Sequence, residues 1–152
     1  MAKEFTVYLA GHIREDNADH DIGWRKRAAE FLGKHGIGTR DPLAGKEKEF
    51  WSHYTPNEIV QRDLKYLMES NLILACLEDD STAIGTPAEM AIAHFKMKKP
   101  IVFVSESKRL REHYWVEVMC VRSFEKLDDA LKYIIEYWAQ PDKHKWDPRQ
   151  SP

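Results

Sequence analysis

The feature that most constrains the fold is residues 72–77, a continuous apolar run with no polar residue alternating in it. A strand of this kind is typical of a parallel sheet that is covered by helices on both faces. Residues 78–84 form an acidic and polar stretch, and residues 85–93 have the pattern of a helix. Ligands of open α/β sheets bind beyond the carboxyl ends of the strands. We therefore expect residues 78–89 to lie at the functional edge of the sheet.

Glu89 has two interpretations because it lies close to the start of this helix. Thr86 is the predicted N-cap, Pro87 the first helical residue, and Glu89 comes three residues after the cap. In one interpretation Glu89 completes a capping box with the backbone N–H of Thr86. In the other, its carboxylate projects into a pocket, and the first turn of the helix favours its anionic form. The two roles compete for the same carboxylate.

Length and composition predict one globular domain. The chain has 152 residues, and we assign residues 1–139 to the domain and 140–152 to a polar C-terminal tail. Hydrophobic residues make up 43%, charged residues 32%, and the net charge is −2, so no basic surface for a nucleic-acid polymer is predicted. The apolar runs are too short to cross a bilayer, and the N-terminus has no signal-peptide pattern. We therefore expect a cytoplasmic protein without a membrane partner.

The sequence predicts no metal site. Cys76 and Cys120 both lie in apolar, strand-like runs, and we interpret them as buried free thiols. The chain has no Cys-x-x-Cys or His-x-x-x-His spacing of the kind that binds zinc.

Apolar strands alternate with helices along the chain. The predicted strands are residues 5–10, 37–40, 72–77 and 101–104, with a fifth strand within 114–121; helices are predicted over 24–34, 58–69, from 86 onward and over 123–138. This alternation favours a single-domain, three-layer α/β/α fold with a flavodoxin-like, five-stranded parallel sheet of order 2-1-3-4-5. Gly11 and His12, after the first strand, would then face residues 78–89 across the switch point.

Two further segments have alternative interpretations. Phe50, Trp51 and Tyr54, in the long connection after the second strand, form either a stacking wall for a base or a cover over the sheet. Asp63, in the middle of a predicted helix, is either an exposed residue paired with Arg62 or Lys65 or a functional carboxylate.

Several motifs occur in an order and spacing that match one enzyme family. They are Val7 to Gly11 at the end of the first strand, Trp24 at the start of the first helix, Ile59-x-x-x-Asp63, Gly85-Thr86-x-x-Glu89-Met90-x-x-Ala93, and Lys99-Pro100-Ile101-Val102. Over residues 6–104 the chain resembles the nucleoside 2-deoxyribosyltransferase family, which includes relatives that hydrolyse nucleoside 5′-monophosphates.

The resemblance implies that the protein cleaves an N-glycosidic bond without a cofactor or metal. It assigns Glu89 as the nucleophile and Asp63 as the residue that positions the sugar or base. Asp79 or Asp80 would contact the base. The remaining predicted substrate-binding residues are Tyr8, Gly11, His12, Trp24, Gly85 and Thr86.

The resemblance also implies a homo-oligomer in which a neighbouring subunit completes the pocket. The candidates for that contribution are Ser105, Ser107, Arg111 and His113, and those for a phosphate contact are Arg14, Lys108, Arg109 and Arg111. The family's first loop usually reads Ala-Gly-Pro, whereas this chain has Gly11-His12. A different shape is therefore expected for this loop.

The predicted reaction is a double displacement with a nucleoside or nucleotide substrate and a nucleobase acceptor. Glu89 attacks the anomeric carbon, the first base leaves with a proton, and a second base takes the 2-deoxyribosyl group. The alternatives are a hydrolase of nucleoside 5′-monophosphates, a non-catalytic nucleotide sensor and an inactive relative. Convergence of Glu89 and Asp63 on one pocket would favour catalysis over the sensor.

Overall fold

The computed structural model describes residues 4–12, 18–42 and 52–139, and of residues 18–21 only the backbone. Its five strands are β1 (Thr6–Gly11), β2 (Gly38–Arg40), β3 (Leu72–Cys76), β4 (Ile101–Val104) and β5 (Arg122–Phe124). Its helices are α1 (Ala18–Lys34), α2 (Pro56–Glu69), α3 (Gly85–Phe95), α4 (Lys108–Arg111), α5 (Tyr114–Met119) and α6 (Leu127–Tyr133), followed by a π-helical turn (Ile134–Trp138).

The strands form one parallel sheet of order β2-β1-β3-β4-β5, which confirms the predicted flavodoxin-like fold. β1 and β3 pair along their whole length, from Val7 opposite Leu72 to Gly11 opposite Cys76. The carboxyl ends of these two strands therefore lie side by side. The chain reverses its winding at this point, which is where α/β sheets of this type bind ligands.

Helices cover both faces of the sheet, and each face has its own apolar core. On the first face, side chains of β1, β3 and β4 pack against α1, α6 and the π-helical turn. On the second, Tyr8, Ile73 and Phe103 pack against α2, α3 and α5. Every residue of β3 is buried, as its continuous apolar run predicts. Burial of each Leu or Ile side chain stabilises the folded protein by about 1.5–3 kcal/mol.

The prediction for residues 114–121 was wrong, because this segment begins with a helix. Nδ1 of His113 accepts a hydrogen bond from the backbone N–H of Trp115 at 3.2 Å and caps α5, and the fifth strand follows at Arg122–Phe124. Aromatic and β-branched residues gave the segment a strand-like composition. Within α5 only Met119 is buried, which is the pattern of a short helix lying on the surface of the domain.

The starts of three helices differ from the prediction. α1 begins at Ala18, before the apolar periodicity that starts at Trp24. The last helix begins at Leu127, because Ser123 belongs to β5. α3 begins at Gly85 with Ile84 as N-cap, and no side chain caps it. The prediction of Thr86 as N-cap was therefore wrong, and Thr86 is instead the buried second residue of this helix.

A complete capping box does occur at α2. The Thr55 hydroxyl accepts from the backbone N–H of Glu58 at 3.1 Å, and a Glu58 carboxylate oxygen accepts from the backbone N–H of Thr55 at 3.3 Å. This arrangement satisfies two backbone donors at the start of α2, the helix that carries Asp63.

Cys76 and Cys120 are free, as predicted. Cys76 is buried in β3, whereas Cys120 is only partly buried. The prediction that Cys120 lies in a strand was wrong, because it directly follows α5. Burial raises the pKa of the Cys120 thiol to about 12, which makes this thiol a poor nucleophile. Within the described ranges, no helix is long and apolar enough to cross a membrane.

Candidate functional site

Three titratable side chains from different elements meet on the second face of the sheet. Tyr8 comes from β1, Asp63 from α2 and Glu89 from α3. The charges of Glu89 and Asp63 both raise the pKa of Tyr8, and the charge of Asp63 raises that of Glu89. These mutual effects place the three groups in one electrostatic environment. The structure thus brings together the two acids that the sequence assigned to catalysis and one predicted substrate contact.

Glu89 reaches this cluster from one turn inside α3. It is the fifth residue of the helix, so the expected stabilisation of its anion within the first turn was wrong. Oε1 of Glu89 lies 3.8 Å from the position that a Cβ on Gly85 would occupy. The carboxylate therefore points back toward the start of the helix, as helical side chains do. A capping box between Thr86 and Glu89 is absent, because Thr86 is not the cap.

The environment of Glu89 favours a carboxyl group that titrates near neutrality. Burial is the largest effect and raises its pKa to about 7, and the negative charge of Asp63 acts in the same direction. The adjacent Tyr8 hydroxyl and the positive charge of Arg25 oppose this rise. Glu89 is therefore much harder to ionise than an ordinary glutamate. A perturbed carboxyl group of this kind is typical of catalytic sites.

Tyr8 is fully buried beside Glu89. Burial, and next the adjacent Glu89 charge, raise the pKa of its phenol, so the hydroxyl keeps its proton and acts only as a donor toward the carboxylate. The contact is not a regular hydrogen bond, since neither the Tyr8 hydroxyl nor Oε2 of Glu89 has a partner of good geometry among the described residues.

The surroundings of Asp63 agree with both of its interpretations, the ion pair and the functional carboxylate. Its Oδ1 lies 3.2 Å from Nη2 of Arg62, as the ion-pair interpretation predicts, yet its side chain is only 22% exposed. It also acts on Glu89 and Tyr8 through its charge. Two carboxylates in one partly buried site disfavour each other's ionisation. Asp63 is therefore part of the site while it is paired with Arg62.

Sequence reasoning missed Arg25, a buried cation that acts on the same cluster. Its side chain is 1% exposed, its Nη2 donates to the Gly11 carbonyl at 3.0 Å, and its Nε lies 3.3 Å from Oδ1 of Asp41. Its charge lowers the pKa of both Tyr8 and Glu89. The sequence signal that could have identified Arg25 is its position directly after Trp24, which places it on the buried side of α1.

The predicted acids of the β3–α3 loop have different surroundings. Oδ1 of Asp79 accepts from the Ser107 hydroxyl at 2.6 Å and from Nη2 of Arg109 at 2.8 Å. These donors, Ser107 foremost, hold the pKa of Asp79 below its usual value although the side chain is exposed. Asp79 thus joins the ends of β3 and β4, and Asp80 is an exposed neighbour. A base contact by either acid stays a prediction.

Gly11 and His12 follow β1 at the switch point. A Cβ on Gly11 would lie 2.8 Å from Cζ2 of Trp24 and 3.0 Å from the Cys76 carbonyl oxygen, so only glycine allows this approach. This glycine lets the end of β1 lie close to Trp24 and to β3. Nδ1 of His12 is buried and has no hydrogen-bond partner in the described part of the chain. The predicted substrate contacts of both residues stay predictions.

Comparison with known proteins identifies the family of the chain. The model of a family described as "Nucleoside 2-deoxyribosyltransferase like" matches residues 4–108. The chain belongs to this family. Among curated proteins, none matches its sequence.

Solved structures share the fold of this deoxyribosyltransferase-like chain at low sequence identity. A 2-deoxyribosyltransferase from the psychrotolerant bacterium Bacillus psychrosaccharolyticus has 20% identity and a TM-score of 0.67, with 84% of this chain and 91% of that chain covered. A 2-deoxyribosyltransferase from Leishmania mexicana has 16% identity, a TM-score of 0.65 and coverages of 88% and 99%. The CMP N-glycosidase of Clostridium botulinum has 16% identity, a TM-score of 0.59 and coverages of 87% and 99%.

Trp24 of the deoxyribosyltransferase-like chain lies on the other face of the sheet from Tyr8. Trp24 packs in the core of the first face, whereas Tyr8 belongs to the core of the second. Trp24 also lines a cavity of about 750 Å³ together with Cys76 and Glu78. We place the site at Glu89 and not at this larger cavity, because Glu89 is where the titratable groups of Tyr8 and Asp63 interact with it. Substrate contacts by Trp24 and Thr86 stay predictions.

The predicted stacking wall is only partly within the described residues. Phe50 and Trp51 lie outside them, as does Arg14, a candidate for a phosphate contact. Tyr54 lines a cavity of about 260 Å³ together with Glu58, Ile59 and Arg62. Glu58, Ile59 and Arg62 all belong to α2, the helix that carries Asp63. This cavity therefore lies beside one of the two acids.

The residues proposed for a neighbouring subunit's contribution have local roles in this chain. Ser105 is buried and its hydroxyl accepts from the backbone N–H of Ser107, while Ser107 caps α4 and His113 caps α5. Arg111 is partly exposed. Of the phosphate candidates, Lys108 lies 3.8 Å from Glu112 and Arg109 binds Asp79. Within the described part of the chain, no group of three or more His, Cys, Asp or Glu side chains could hold a metal ion.

Proposed function

We propose that the protein cleaves the N-glycosidic bond of nucleosides through a glycosyl-enzyme intermediate on Glu89 and transfers the 2-deoxyribosyl group to another nucleobase. The observation that carries this proposal is the convergence of Glu89, Asp63 and Tyr8 at one sheet edge in a member of the deoxyribosyltransferase-like family. A non-catalytic sensor does not require two converging acids, one of which titrates near neutrality.

In the first half-reaction, the ionised Glu89 attacks the anomeric carbon of the sugar. A C–O bond forms, the C–N bond breaks, and its electron pair leaves with the base, which takes up one proton from a protonated acid. Hydrogen bonds hold the pKa of Asp79 low, so that group is an unsuitable proton donor near neutral pH. Tyr8 donates toward the Glu89 carboxylate and thereby holds it in place, and Asp63 positions the sugar or base.

In the second half-reaction, a nitrogen of the incoming base attacks the same anomeric carbon. The C–O bond to Glu89 breaks, its electron pair returns to the carboxylate, and the proton of the attacking nitrogen passes back to the acid. The enzyme is thus regenerated with no net change of charge. The chemistry requires two carboxyl groups and a donor, and no metal or cofactor.

The alternative reaction is hydrolysis of nucleoside 5′-monophosphates, in which water replaces the second base. The structural similarity to a CMP N-glycosidase favours this alternative. Both reactions share the first half-reaction and the Glu89 intermediate. They therefore differ only in the acceptor and in the need for a phosphate on the substrate.

The experiment is to incubate the purified protein with a panel of nucleosides and nucleoside 5′-monophosphates, with and without a free acceptor base. Liquid chromatography follows base release and exchange. We expect a new nucleoside only when an acceptor is present. Glu89→Gln should lower turnover by at least about 1000-fold, as loss of a catalytic nucleophile does. Asp63→Asn should lower it by about 100-fold.

The matched control is Glu30→Gln, since Glu30 is exposed on α1, which packs on the other face of the sheet. This variant should retain wild-type turnover. Base release from monophosphates without an acceptor would establish the hydrolase instead. Absence of turnover on every substrate by the wild type, or full activity of Glu89→Gln, would refute the proposed function.

A further inference from the structure

The loop of residues 78–84 connects β3 to α3, the helix that carries Glu89. No side chain caps the start of α3, so the position of its first turn depends on the segment that precedes it. Within the loop, the backbone N–H of Ser81 donates to the Glu78 carbonyl at 3.0 Å, and the Ser81 hydroxyl accepts from the N–H of Ala83 at 3.2 Å. These bonds shape the loop locally and do not join it to another element.

Asp79 joins this loop to the segment that follows β4. Its Oδ1 accepts from the Ser107 hydroxyl at 2.6 Å and from Nε and Nη2 of Arg109 at 3.2 and 2.8 Å. The Asp79 and Arg109 side chains are 60% and 67% exposed, and an ion pair so exposed contributes little to stability. Ser107 is buried, and its short bond to a carboxylate is of the stronger kind. Ser107 is therefore the partner that holds Asp79.

Ser107 is itself held by the framework of the sheet. Its backbone N–H donates to the hydroxyl of the buried Ser105 at 3.1 Å, and the N–H of Ser105 donates to the Phe124 carbonyl of β5 at 3.0 Å. The Ser107 hydroxyl also accepts from the N–H of Leu110, which packs against the same apolar core as α3. Asp79 is thus connected through hydrogen bonds to β5 and to this core.

We propose that Asp79 is a positioning residue and not a contact to the base: held by Ser107, it fixes the β3–α3 loop and thereby the first turns of the helix from which Glu89 reaches the site. This inference rests on the proposed role of Glu89 as the nucleophile. Attack on the anomeric carbon requires close alignment of the reacting atoms, so a displaced helix start lowers the rate of the reaction. The loss is the same whichever base the substrate carries.

A contact between Asp79 and the base makes a different prediction. Asp79→Ala would then change the preference among substrates that differ in their base, and Ser107→Ala would not. In the positioning role the two variants have the same effect, since each removes the same hydrogen bond. The double variant is then no worse than either single variant, because the two residues act as one unit.

The experiment combines steady-state kinetics with amide hydrogen exchange followed by NMR. We expect Asp79→Ala and Ser107→Ala each to lower kcat about tenfold on every accepted substrate, with KM changed by less than about twofold. The amides of Ser81 and Ala88 are hydrogen-bonded within the loop and in the first turn of α3. Their exchange should become about tenfold faster in both variants, because local opening of the loop is then easier.

The matched control is Glu112→Gln, which removes an exposed carboxylate that lies 3.8 Å from Lys108 at the other end of α4. This variant should retain wild-type kinetics and exchange. A base-dependent change of kcat/KM in Asp79→Ala alone, or loop exchange that neither variant accelerates, would overturn the inference. If Asp79→Ala does not fold, a base-independent loss of kcat with faster loop exchange in Ser107→Ala supports the inference, and its absence overturns it.

The exchange measurement needs no turnover, so the two proposals can fail separately. An inactive wild type whose loop exchange accelerates in both variants would refute the proposed function alone. An active enzyme in which Ser107→Ala leaves kcat and loop exchange unchanged would refute this inference alone.

Discussion

Glu89 illustrates at the scale of one residue how a buried carboxyl group opposes folding. Burial raises its pKa from 4.5 to about 7. Below pH 4.5 the carboxyl is protonated in both the folded and the unfolded chain. Between these values the unfolded chain releases the proton while the folded chain retains it, so stability falls as the pH rises. Above pH 7 the full penalty remains, because the folded protein then holds a buried carboxylate.

We predict that Glu89→Gln stabilises the protein at high pH and not at low pH. Relative to wild type, the gain in the free energy of unfolding should be near zero at pH 4. It should grow through pH 5 to 7 and reach on the order of 2–3 kcal/mol at pH 8. Urea unfolding of both proteins at these pH values measures this gain in the free energy of unfolding. A gain that is the same at every pH, or one that shrinks as the pH rises, would contradict the assigned burial of Glu89.

At the scale of the elements, the end of β1 is the tightest junction of the site. Gly11 lies between Trp24 of α1 and the backbone of β3, and its carbonyl holds Arg25. A side chain at this position would push α1 away from the sheet. Because Cys76 contributes a backbone oxygen to the junction, the strain could not be relieved by a change of rotamer alone.

We predict that Gly11→Ala lowers the free energy of unfolding by about 1–3 kcal/mol, the usual cost of overpacking a close junction. The matched control is Gly23→Ala, a glycine inside α1 where an added Cβ meets no atom within 4 Å. This variant should gain about 0.5–1 kcal/mol through helix propensity. Urea denaturation of both variants provides the comparison, and equal effects would argue against the close packing at Gly11.

At the scale of the whole molecule, α3 and α5 expose an apolar surface that no described element of the domain covers. It comprises Phe95, Tyr114, Trp115 and Val118, which we call the aromatic patch. The rings of Phe95 and Trp115 are 6.4 Å apart in an edge-to-face arrangement, and both side chains are about half exposed, at 47% and 50%. Exposed aromatic clusters of this kind are typical of interfaces between proteins.

We propose that the protein is a homo-oligomer and that the aromatic patch forms the contact between subunits. Since α3 also carries Glu89, such a contact would bring a neighbouring subunit to the helix of the nucleophile. Light scattering after size-exclusion chromatography should give a mass of at least twice the 17.8 kDa of the chain. Trp115→Glu combined with Phe95→Glu should shift the protein to the monomer. The matched control is Tyr137→Glu, an exposed aromatic residue in the π-helical turn. A monomeric wild type would refute the proposal.

The sequence by itself determined the layers of the fold, and its resemblance to a known family supplied the nucleophile candidate. The apolar run of β3 and the alternation of strands and helices predict the order of the sheet, because burial on both faces leaves a pattern in neighbouring residues. Gly85 and Glu89 point to the functional edge for a similar reason, since the end of a strand and the start of a helix are local signals. The same local reasoning failed at residues 114–121, where composition favoured a strand and the His113 cap started a helix.

Only the tertiary structure decided which groups set the charge of Glu89. Tyr8, Arg25, Asp63 and Glu89 come from four different elements, and no spacing in the chain shows that they act on one another. It also decided that Thr86 is buried and does not cap α3. Electrostatic interactions and burial depend on distances through space. They are therefore fixed by how the helices pack on the two faces of the sheet and not by the local pattern of the sequence.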